Sequence, residues 1–185
     1  MKLLVIIGPS GSGKSAAMRA LQARGRIAVT PSWTTRPRRA DESEETVEHR
    51  FVDDLEFDRR LKDGFFLETI ALFGHRYGMP PVEQPPAGVI PTIMMRAPRL
   101  NLVEEHYPEH VVYQIEAPFE EASARIHAAG GIADDDIRVT GWKEERALGE
   151  QLADRVIKAT GSGPRLIEII ERALSEDFGS ERGSQ

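Results

Sequence analysis

The chain has 185 residues, 40% of them hydrophobic, which suits one domain or one domain with inserted lobes. Its net charge of −6 argues against a general nucleic-acid-binding protein, because such proteins need a basic face for phosphate contacts. The absence of cysteine excludes disulfides and thiolate metal sites, and no apolar run approaches membrane-spanning length. Since a buried strand begins at residue 3, we expect no signal peptide, and a soluble cytoplasmic protein without nucleic-acid or membrane partners.

The first predicted elements are a strand at 3–7, a glycine-rich loop at 8–15 and a helix that extends to Ala23. The loop reads Gly-Pro-Ser-Gly-Ser-Gly-Lys-Ser, the G-x-x-x-x-G-K-S pattern of a phosphate-binding P-loop. Its glycines let backbone N–H groups converge on phosphate oxygens, and the following helix adds the positive end of its dipole. A glycine-rich turn with a chance lysine is the alternative, which the flanking strand and helix disfavour.

The motif predicts an ATP site with bound Mg²⁺. Lys14 is expected to reach the β- and γ-phosphates, and Ser15 to offer its hydroxyl to the metal ion. The predicted nucleotide contacts are Gly8, Ser10, Gly11, Ser12, Gly13, Lys14 and Ser15.

Downstream, strands alternate with helices, which predicts an α/β fold with a parallel sheet and right-handed crossovers. A polar segment at 31–48 is expected to be exposed and to face the substrate, and the prolines at 80–86 indicate a loop. Trp142 is expected to pack in the core or the lid rather than to stack on a base. Strands are predicted at 27–30, 65–73, 89–95, 111–115 and 156–157, helices at 55–62, 98–105, 118–128, 136–152 and 164–174, and a flexible tail at 176–185.

Three arginines within four residues, Arg36, Arg38 and Arg39, form the second informative cluster. Guanidinium groups bind phosphate bidentately, so the cluster suits a phosphomonoester. The acids that follow at 41–45 leave a solvated charged loop as the alternative. The P-loop upstream favours phosphate binding, because phosphoryl transfer needs a second phosphate held in line with the first.

Five segments resemble the guanylate kinase family in order and approximate spacing. They are the P-loop, Thr-Thr-Arg-Pro-Arg at 34–38, Glu-His-Arg-Phe-Val at 48–52, Gly-Phe-Phe-Leu-Glu at 64–68 and Gly-His-Arg-Tyr-Gly at 74–78. The resemblance covers residues 3–160 and is strongest over 3–80. It implies a P-loop NTPase fold with a substrate lobe at 31–82 and a mobile lid at 125–142. The implied reaction is ATP-dependent phosphorylation of GMP or dGMP.

The resemblance assigns a group of residues to the GMP phosphate. Ser32, Arg36 and either Arg38 or Arg39 match the family's phosphate contacts. The register of the last arginine stays open, because a residue that the family has before the proline is missing here. His49 stands where the family has a phosphate-contacting tyrosine, and a surface histidine is its alternative.

Further residues match the base site and the lid. Glu68 matches the acid that reads the guanine edge, where a carboxylate accepts from two N–H donors at once. Tyr77 matches a family tyrosine or is a packing residue. Arg125 and Arg138 match lid arginines that stabilise charge on the transferred phosphoryl group. The alternatives are an exposed strand carboxylate for Glu68 and helix-surface charges for both arginines.

The sequence also departs from the guanylate kinase pattern. Where the family carries Leu-Asp-Ile-Asp, this chain has Pro-Thr-Ile-Met at 91–94, without the acids that support the metal and the base. A lid arginine expected between Arg125 and Arg138 falls on Ala129, and a family asparagine is replaced near 159–160. The loss of these side chains is expected to weaken guanine specificity and to lower the rate of phosphoryl transfer.

A second family, ribose 1,5-bisphosphate phosphokinase, resembles the chain in other features. It has threonine-arginine-proline without an inserted residue, a histidine at the position of His49, an arginine at that of Arg96 and an aliphatic residue after Tyr-Gly. Glu68 argues against it, because that family lacks the acid. We therefore expect a GMP or dGMP kinase, with the sugar-phosphate kinase as the first alternative. The second is a nucleotide-binding module with little catalysis, which the intact P-loop disfavours.

Overall fold

The computed structural model describes residues 1–38, 42, 46–72, 74–128, 137–159 and 163–179. The strands within these residues are β1 (Leu3–Ile7), β2 (Ile27–Thr30), β3 (Ser32–Thr34), β4 (His49–Phe51), β5 (Glu68–Leu72), β6 (His75–Met79), β7 (Ile90–Met94), β8 (His110–Glu116) and β9 (Arg155–Lys158). The α-helices are α1 (Lys14–Ala23), α2 (Asp54–Lys62), α3 (Asn101–His106), α4 (Phe119–Ala128), α5 (Ile137–Thr140), α6 (Trp142–Leu152) and α7 (Gly163–Phe178), and Ala97–Arg99 form a 3₁₀ turn.

A five-stranded parallel sheet in the order β2-β7-β1-β8-β9 forms the centre of the fold. All five side chains of β1 are fully buried, and successive ones point to opposite faces. Leu4 and Ile6 pack with residues of α1 and α7, while Leu3, Val5 and Ile7 pack with residues of α3 and α6. Helices thus cover both faces, and the loop after β1 lies at the carboxyl edge of the sheet, where ligands bind in folds of this kind.

A smaller sheet in the order β4-β3-β6-β5 is inserted between β2 and β7. Its pairs are parallel between β3 and β4 and antiparallel elsewhere. One face packs on an aromatic cluster of Trp33, Phe57, Phe65 and Phe66, whose ring centroids are 4.8 to 5.9 Å apart. A Cβ at Gly78 would lie 2.6 Å from the Phe66 ring, which explains the glycine after Tyr77. This inserted sheet therefore has a core of its own on one face.

The predicted α/β alternation and parallel sheet are confirmed. Pro91 lies in β7, an interior strand, where proline normally removes a ladder hydrogen bond. Ile90 N donates to Arg26 O at 3.1 Å, so the nitrogen of Pro91 faces β1, and the β1–β7 register begins only at Leu4 and Thr92. Pro91 therefore lies just before that ladder and interrupts nothing.

Two boundaries around the inserted sheet are wrong. The segment at 31–48, predicted to be exposed, contains β3, whose Trp33 and Thr34 are buried because they join the inserted sheet. The strand predicted at 65–73 begins only at Glu68, because Phe65 and Phe66 turn into the aromatic cluster instead.

Boundaries in the second half of the chain also differ. The helix predicted at 98–105 begins as a 3₁₀ turn, and the one at 136–152 divides at Gly141 into α5 and α6. Helix α7 continues to Phe178, past the predicted start of the tail, because Asp177 accepts hydrogen bonds from Tyr113 and Arg155. No helix among the described residues is long and apolar enough to cross a membrane.

Candidate active site

The P-loop curls around the end of β1 because three of its glycines adopt positive φ. These angles are 136° at Gly8, 74° at Gly11 and 95° at Gly13. Close packing adds a second requirement: a Cβ would lie 2.3 Å from Ile115 O at Gly8 and 2.4 Å from Ala122 O at Gly11. Backbone conformation and the nearness of β8 and α4 both demand glycine here.

The ammonium of Lys14 lies inside the curve of the loop. It donates to the carbonyl oxygens of Gly8 at 2.7 Å and Pro9 at 2.9 Å. Desolvation lowers the pKa of Lys14, and the nearby carboxylates of Glu48 and Glu145 oppose that shift. The loop thus holds a cation at its centre, and Glu48, the residue before β4, acts on it electrostatically.

Two side chains from later helices brace the loop. Trp142 is buried, packs edge-on against Phe119 with centroids 5.3 Å apart, and donates its indole N–H to Ser10 O at 3.0 Å. Arg125, the predicted lid arginine on α4, donates to Gly11 O at 3.0 Å. The structure therefore brings Arg125 to the rim of the loop, and Trp142 has a bond to the loop in addition to its predicted packing.

Four predicted acceptor residues lie on one face of the inserted sheet, here named the acceptor face: Ser32, His49, Glu68 and Tyr77. The register pairs Ser32 with His49, Thr34 with Tyr77 and Glu68 with Met79, which places all of these side chains on the same side. Ser32 Oγ is 2.8 Å from His49 Nδ1, and the His49 and Tyr77 rings are 5.8 Å apart. The aromatic cluster occupies the opposite face, so the acceptor face points away from the lobe's own core.

Arg36 lies beside the acceptor face, with its backbone N–H bound to Thr34 Oγ1 at 3.1 Å. Its guanidinium donates two hydrogen bonds to the Glu42 carboxylate, at 2.9 and 2.7 Å. Although burial alone would lower it, hydrogen bonding to Glu42 raises the pKa of Arg36, and Tyr77 acts in the same direction. The predicted phosphate ligand is thus paired with an acid of this chain, and a phosphate bound there has to share or replace that carboxylate.

Glu68 forms an ion pair with Arg99, which lies in the 3₁₀ turn after β7. Both side chains are about one-third exposed. This pair joins the inserted sheet to the central sheet, because Glu68 is the first residue of β5.

The end of β7 carries no acid. Thr92 is buried and donates to Ile90 O at 3.1 Å, and Met94 packs against the core. Arg96 follows the strand and binds the buried carboxylate of Glu145 through two hydrogen bonds, at 3.2 and 2.8 Å. Hydrogen bonding to Glu145 raises the pKa of Arg96. An arginine–glutamate pair therefore stands near Lys14, at the edge of the sheet where the family pattern has acids.

The described part of the chain does not test every predicted site position. Arg38 is exposed, Arg39 lies outside the described residues, and so does the side chain of Arg138, although its backbone is part of α5. Ala129 also lies outside them. Within the part of the chain that the structure describes, no group of three or more histidines and acids is placed to hold a metal. Ser15, the predicted metal ligand, lies in the first turn of α1.

Sequence reasoning missed four partners in this region: Glu42, Arg99, Glu145 and the indole N–H of Trp142. Arg99 and Glu145 are separated in sequence from Glu68 and Arg96 by 31 and 49 positions. Their position in the sequence could have indicated the two arginines, because Arg96 and Arg99 come soon after the strand predicted at 89–95. Side chains at the carboxyl end of such a strand lie near the ligand site.

Comparison with known proteins agrees with this geometry. Residues 1–83, which contain the P-loop and the acceptor face, match the family model for guanylate kinase. The guanylate kinase of Sphingopyxis alaskensis is 37% identical over 142 residues, covering 73% of this chain and 64% of that protein. The guanylate kinase of Gloeobacter violaceus is 30% identical over 187 residues, covering 97% of this chain and 90% of that protein.

A crystal structure of guanylate kinase from Anaplasma phagocytophilum has the same fold, with a TM-score of 0.64, 24% identity, and coverage of 99% of this chain and 87% of that one. The chain spans only 64%, 40% and 63% of the length of the first three curated relatives that it matches. The Gloeobacter relative, in contrast, aligns over almost the whole of both proteins. With the P-loop, the acceptor face and this full-length similarity together, the chain belongs to the guanylate kinase family.

Proposed function

We propose that the protein transfers the γ-phosphoryl group of ATP to the phosphate of GMP or dGMP, giving ADP and GDP or dGDP. The observation that carries the proposal is the position of the Lys14 ammonium, bound inside the P-loop at 2.7 Å from Gly8 O. It stands within electrostatic reach of the inserted sheet that bears the acceptor face. Direct phosphoryl transfer needs such a cation in the phosphate-binding loop, because it stabilises charge on the transferred group.

The loop residues fit the triphosphate by their chemistry. Backbone N–H groups of 8–15 would cradle phosphate oxygens, and Lys14 would exchange its bonds to Gly8 O and Pro9 O for bonds to phosphate. Mg²⁺, when bound at Ser15, would neutralise part of the phosphate charge. The closeness of Ile115 and Ala122 keeps the loop backbone in place.

The acceptor face supplies position rather than a nucleophile. A phosphate oxygen of GMP attacks the γ-phosphorus, one P–O bond forms, and the bond to the ADP oxygen breaks. We assign the acceptor phosphate to Arg36 with Arg38 or Arg39, to Ser32 and His49, and to Tyr77. Arg125 and Arg138 would stabilise charge on the transferred group, and residues 31–82 and 125–142 would act as substrate lobe and lid.

The acid on the acceptor face favours guanine over a sugar bisphosphate as the acceptor, because a carboxylate repels a second phosphate group. Glu68 lies on the acceptor face, and its carboxylate retains lone pairs that can accept from guanine N–H donors. The relatives named above are guanylate kinases, which supports the same choice. We place the reaction in the cytoplasm, where both nucleotides are available.

Steady-state kinetics of the wild-type protein test the proposal with GMP, dGMP, AMP and ribose 1,5-bisphosphate as acceptors, each with saturating Mg-ATP. We expect turnover of GMP and dGMP, and much weaker use of AMP, because a carboxylate that is built to accept two N–H donors disfavours a base that leaves it unpaired. Turnover of ribose 1,5-bisphosphate alone would replace the proposal with its alternative. Nucleotide binding without any turnover would identify a binding module.

A further inference from the structure

The ion pair between Glu68 and Arg99 has a consequence for base recognition. Glu68 is the one acid among the predicted base contacts, because β7 carries Thr92 and Met94 where the family pattern has aspartates. Any discrimination between guanine and adenine by a carboxylate therefore depends on how this side chain is oriented. A glutamate has three rotatable side-chain bonds, so a partner is needed to fix its direction.

Arg99 is anchored to the central sheet rather than to the inserted one. Its turn is fixed by Pro98 and by the bond from Arg99 N to Arg96 O at 3.0 Å. The flanking residues Ala97 and Leu100 are buried in the core. The guanidinium therefore reaches the acceptor face from a rigid base, and it meets the carboxylate on the side of the central sheet.

We propose that Arg99 is a positioning residue for base recognition: its contact with Glu68 directs that carboxylate so that its remaining lone pairs receive guanine. A carboxylate has about four lone-pair sites, so binding one guanidinium leaves acceptors for two N–H donors. Arg99 itself needs no contact with the substrate. This inference rests on the proposed function.

A double-mutant cycle between Arg99 and Glu68 tests it, with KM for GMP, KM for ATP and the GMP-to-AMP ratio of kcat/KM as readouts. We expect Arg99→Gln to raise KM for GMP about tenfold and to lower the GMP preference by a similar factor, because the carboxylate loses its direction. KM for ATP should stay within about twofold of wild type, because the P-loop is not touched. Arg99→Lys, which keeps the charge, should have a KM for GMP and a GMP preference between those of the wild type and Arg99→Gln.

The decisive measurement is made in the Glu68→Gln background. There Arg99→Gln should add nothing further, because Arg99 acts only through Glu68. Arg24→Gln is the matched control, since Arg24 pairs with Glu171 at 3.0 Å on a distant surface with similar exposure. Thermal unfolding of each variant checks the fold, and if Arg99→Gln does not fold, the cycle is run with Arg99→Lys.

Three outcomes would overturn the inference. Unchanged GMP kinetics in Arg99→Gln would mean that Glu68 needs no partner. An equal loss in the wild-type and Glu68→Gln backgrounds would mean that Arg99 contacts the acceptor directly. No turnover of any purine monophosphate by the wild type would defeat the proposed function, and the inference with it, before any variant is compared.

Discussion

The P-loop and the acceptor face are built by different means. The loop is shaped by its backbone, through glycines at positive φ packed against Ile115 and Ala122. The acceptor side relies on long charged side chains, and its predicted ligands Arg36 and Glu68 are each paired with an opposite charge of the chain. The loop backbone is therefore set before any ligand arrives. At the acceptor face, in contrast, a bound phosphate has to share or replace the Glu42 carboxylate on Arg36, and a bound base has to share Glu68 with Arg99.

Removal of the Lys14 ammonium is expected to have the largest effect. Lys14→Ala should lower kcat by about a hundredfold or more, because it deletes the cation that we propose to contact the transferred phosphoryl group. The fold should persist, since the side chain bonds only to its own loop. Calorimetry with Mg-ATP and steady-state kinetics measure both effects, with exposed Lys62→Ala as control. Wild-type affinity and turnover in Lys14→Ala would contradict the ATP-site assignment.

Alanine substitutions at Gly11 and Gly64 test whether close packing, in addition to positive φ, requires glycine in the P-loop. Gly11 and Gly64 have nearly equal φ, 74° and 66°, but a Cβ meets Ala122 O at 2.4 Å only at Gly11. Gly64→Ala should cost about 1 kcal/mol in the free energy of unfolding, from backbone strain alone. Gly11→Ala should cost about 2 kcal/mol more, because either the loop or α4 must shift. Urea unfolding measures both, and equal losses would show that φ alone requires glycine in the loop.

Arg36 tests the acceptor side. Arg36→Ala should raise the KM for GMP by about ten- to a hundredfold, because a charge-assisted phosphate contact is lost, and leave the KM for ATP nearly unchanged. Arg59→Ala removes an exposed arginine from α2 and serves as control. If acceptor kinetics in Arg36→Ala match those of the control, the arginine–Glu42 pair is only part of a charged loop.

The smallest effect is expected at Asp177, whose hydrogen-bond network lies outside both the P-loop and the acceptor face. Its loss shows how much a change in stability alone affects the kinetics. Asp177 accepts from Arg155 at 2.6 and 2.7 Å and from Tyr113 at 2.6 Å. Hydrogen bonding to Arg155 lowers the pKa of Asp177, so its stabilisation is complete above the ordinary aspartate value and is lost as pH falls through the lowered one.

Asp177→Asn should therefore cost about 1 kcal/mol at neutral pH, a modest value because the pair is partly exposed to solvent. The difference from wild type should shrink as the pH falls below the ordinary aspartate value, because the wild-type carboxylate then also loses its charge. Thermal unfolding across that range measures it, with exposed Asp63→Asn as control. Both KM values should stay at wild type. A gap that widens on acidification would reverse the assigned sign.

Several parts of the protein follow from local rules that can be applied to the amino-acid sequence alone. The P-loop with its strand and helix and the alternation that gives a parallel sheet both follow from motifs and periodicity within a few residues. The resemblance to guanylate kinases added the acceptor residues in order, and the strand register then placed Ser32, His49, Glu68 and Tyr77 on one face.

Which acidic and basic side chains form ion pairs depends on the tertiary structure. Glu68 pairs with Arg99, and Arg96 pairs with Glu145. Both pairs form because β7 lies between β2 and β1 in the central sheet, so that its carboxyl end faces both the inserted sheet and α6. The start of β5 and the extent of α7 were likewise set by distant partners, the aromatic cluster and the Asp177 network. Such contacts cannot be predicted from the periodicity of the sequence. They depend on the order of the strands in the sheet and not on the local propensity of the residues.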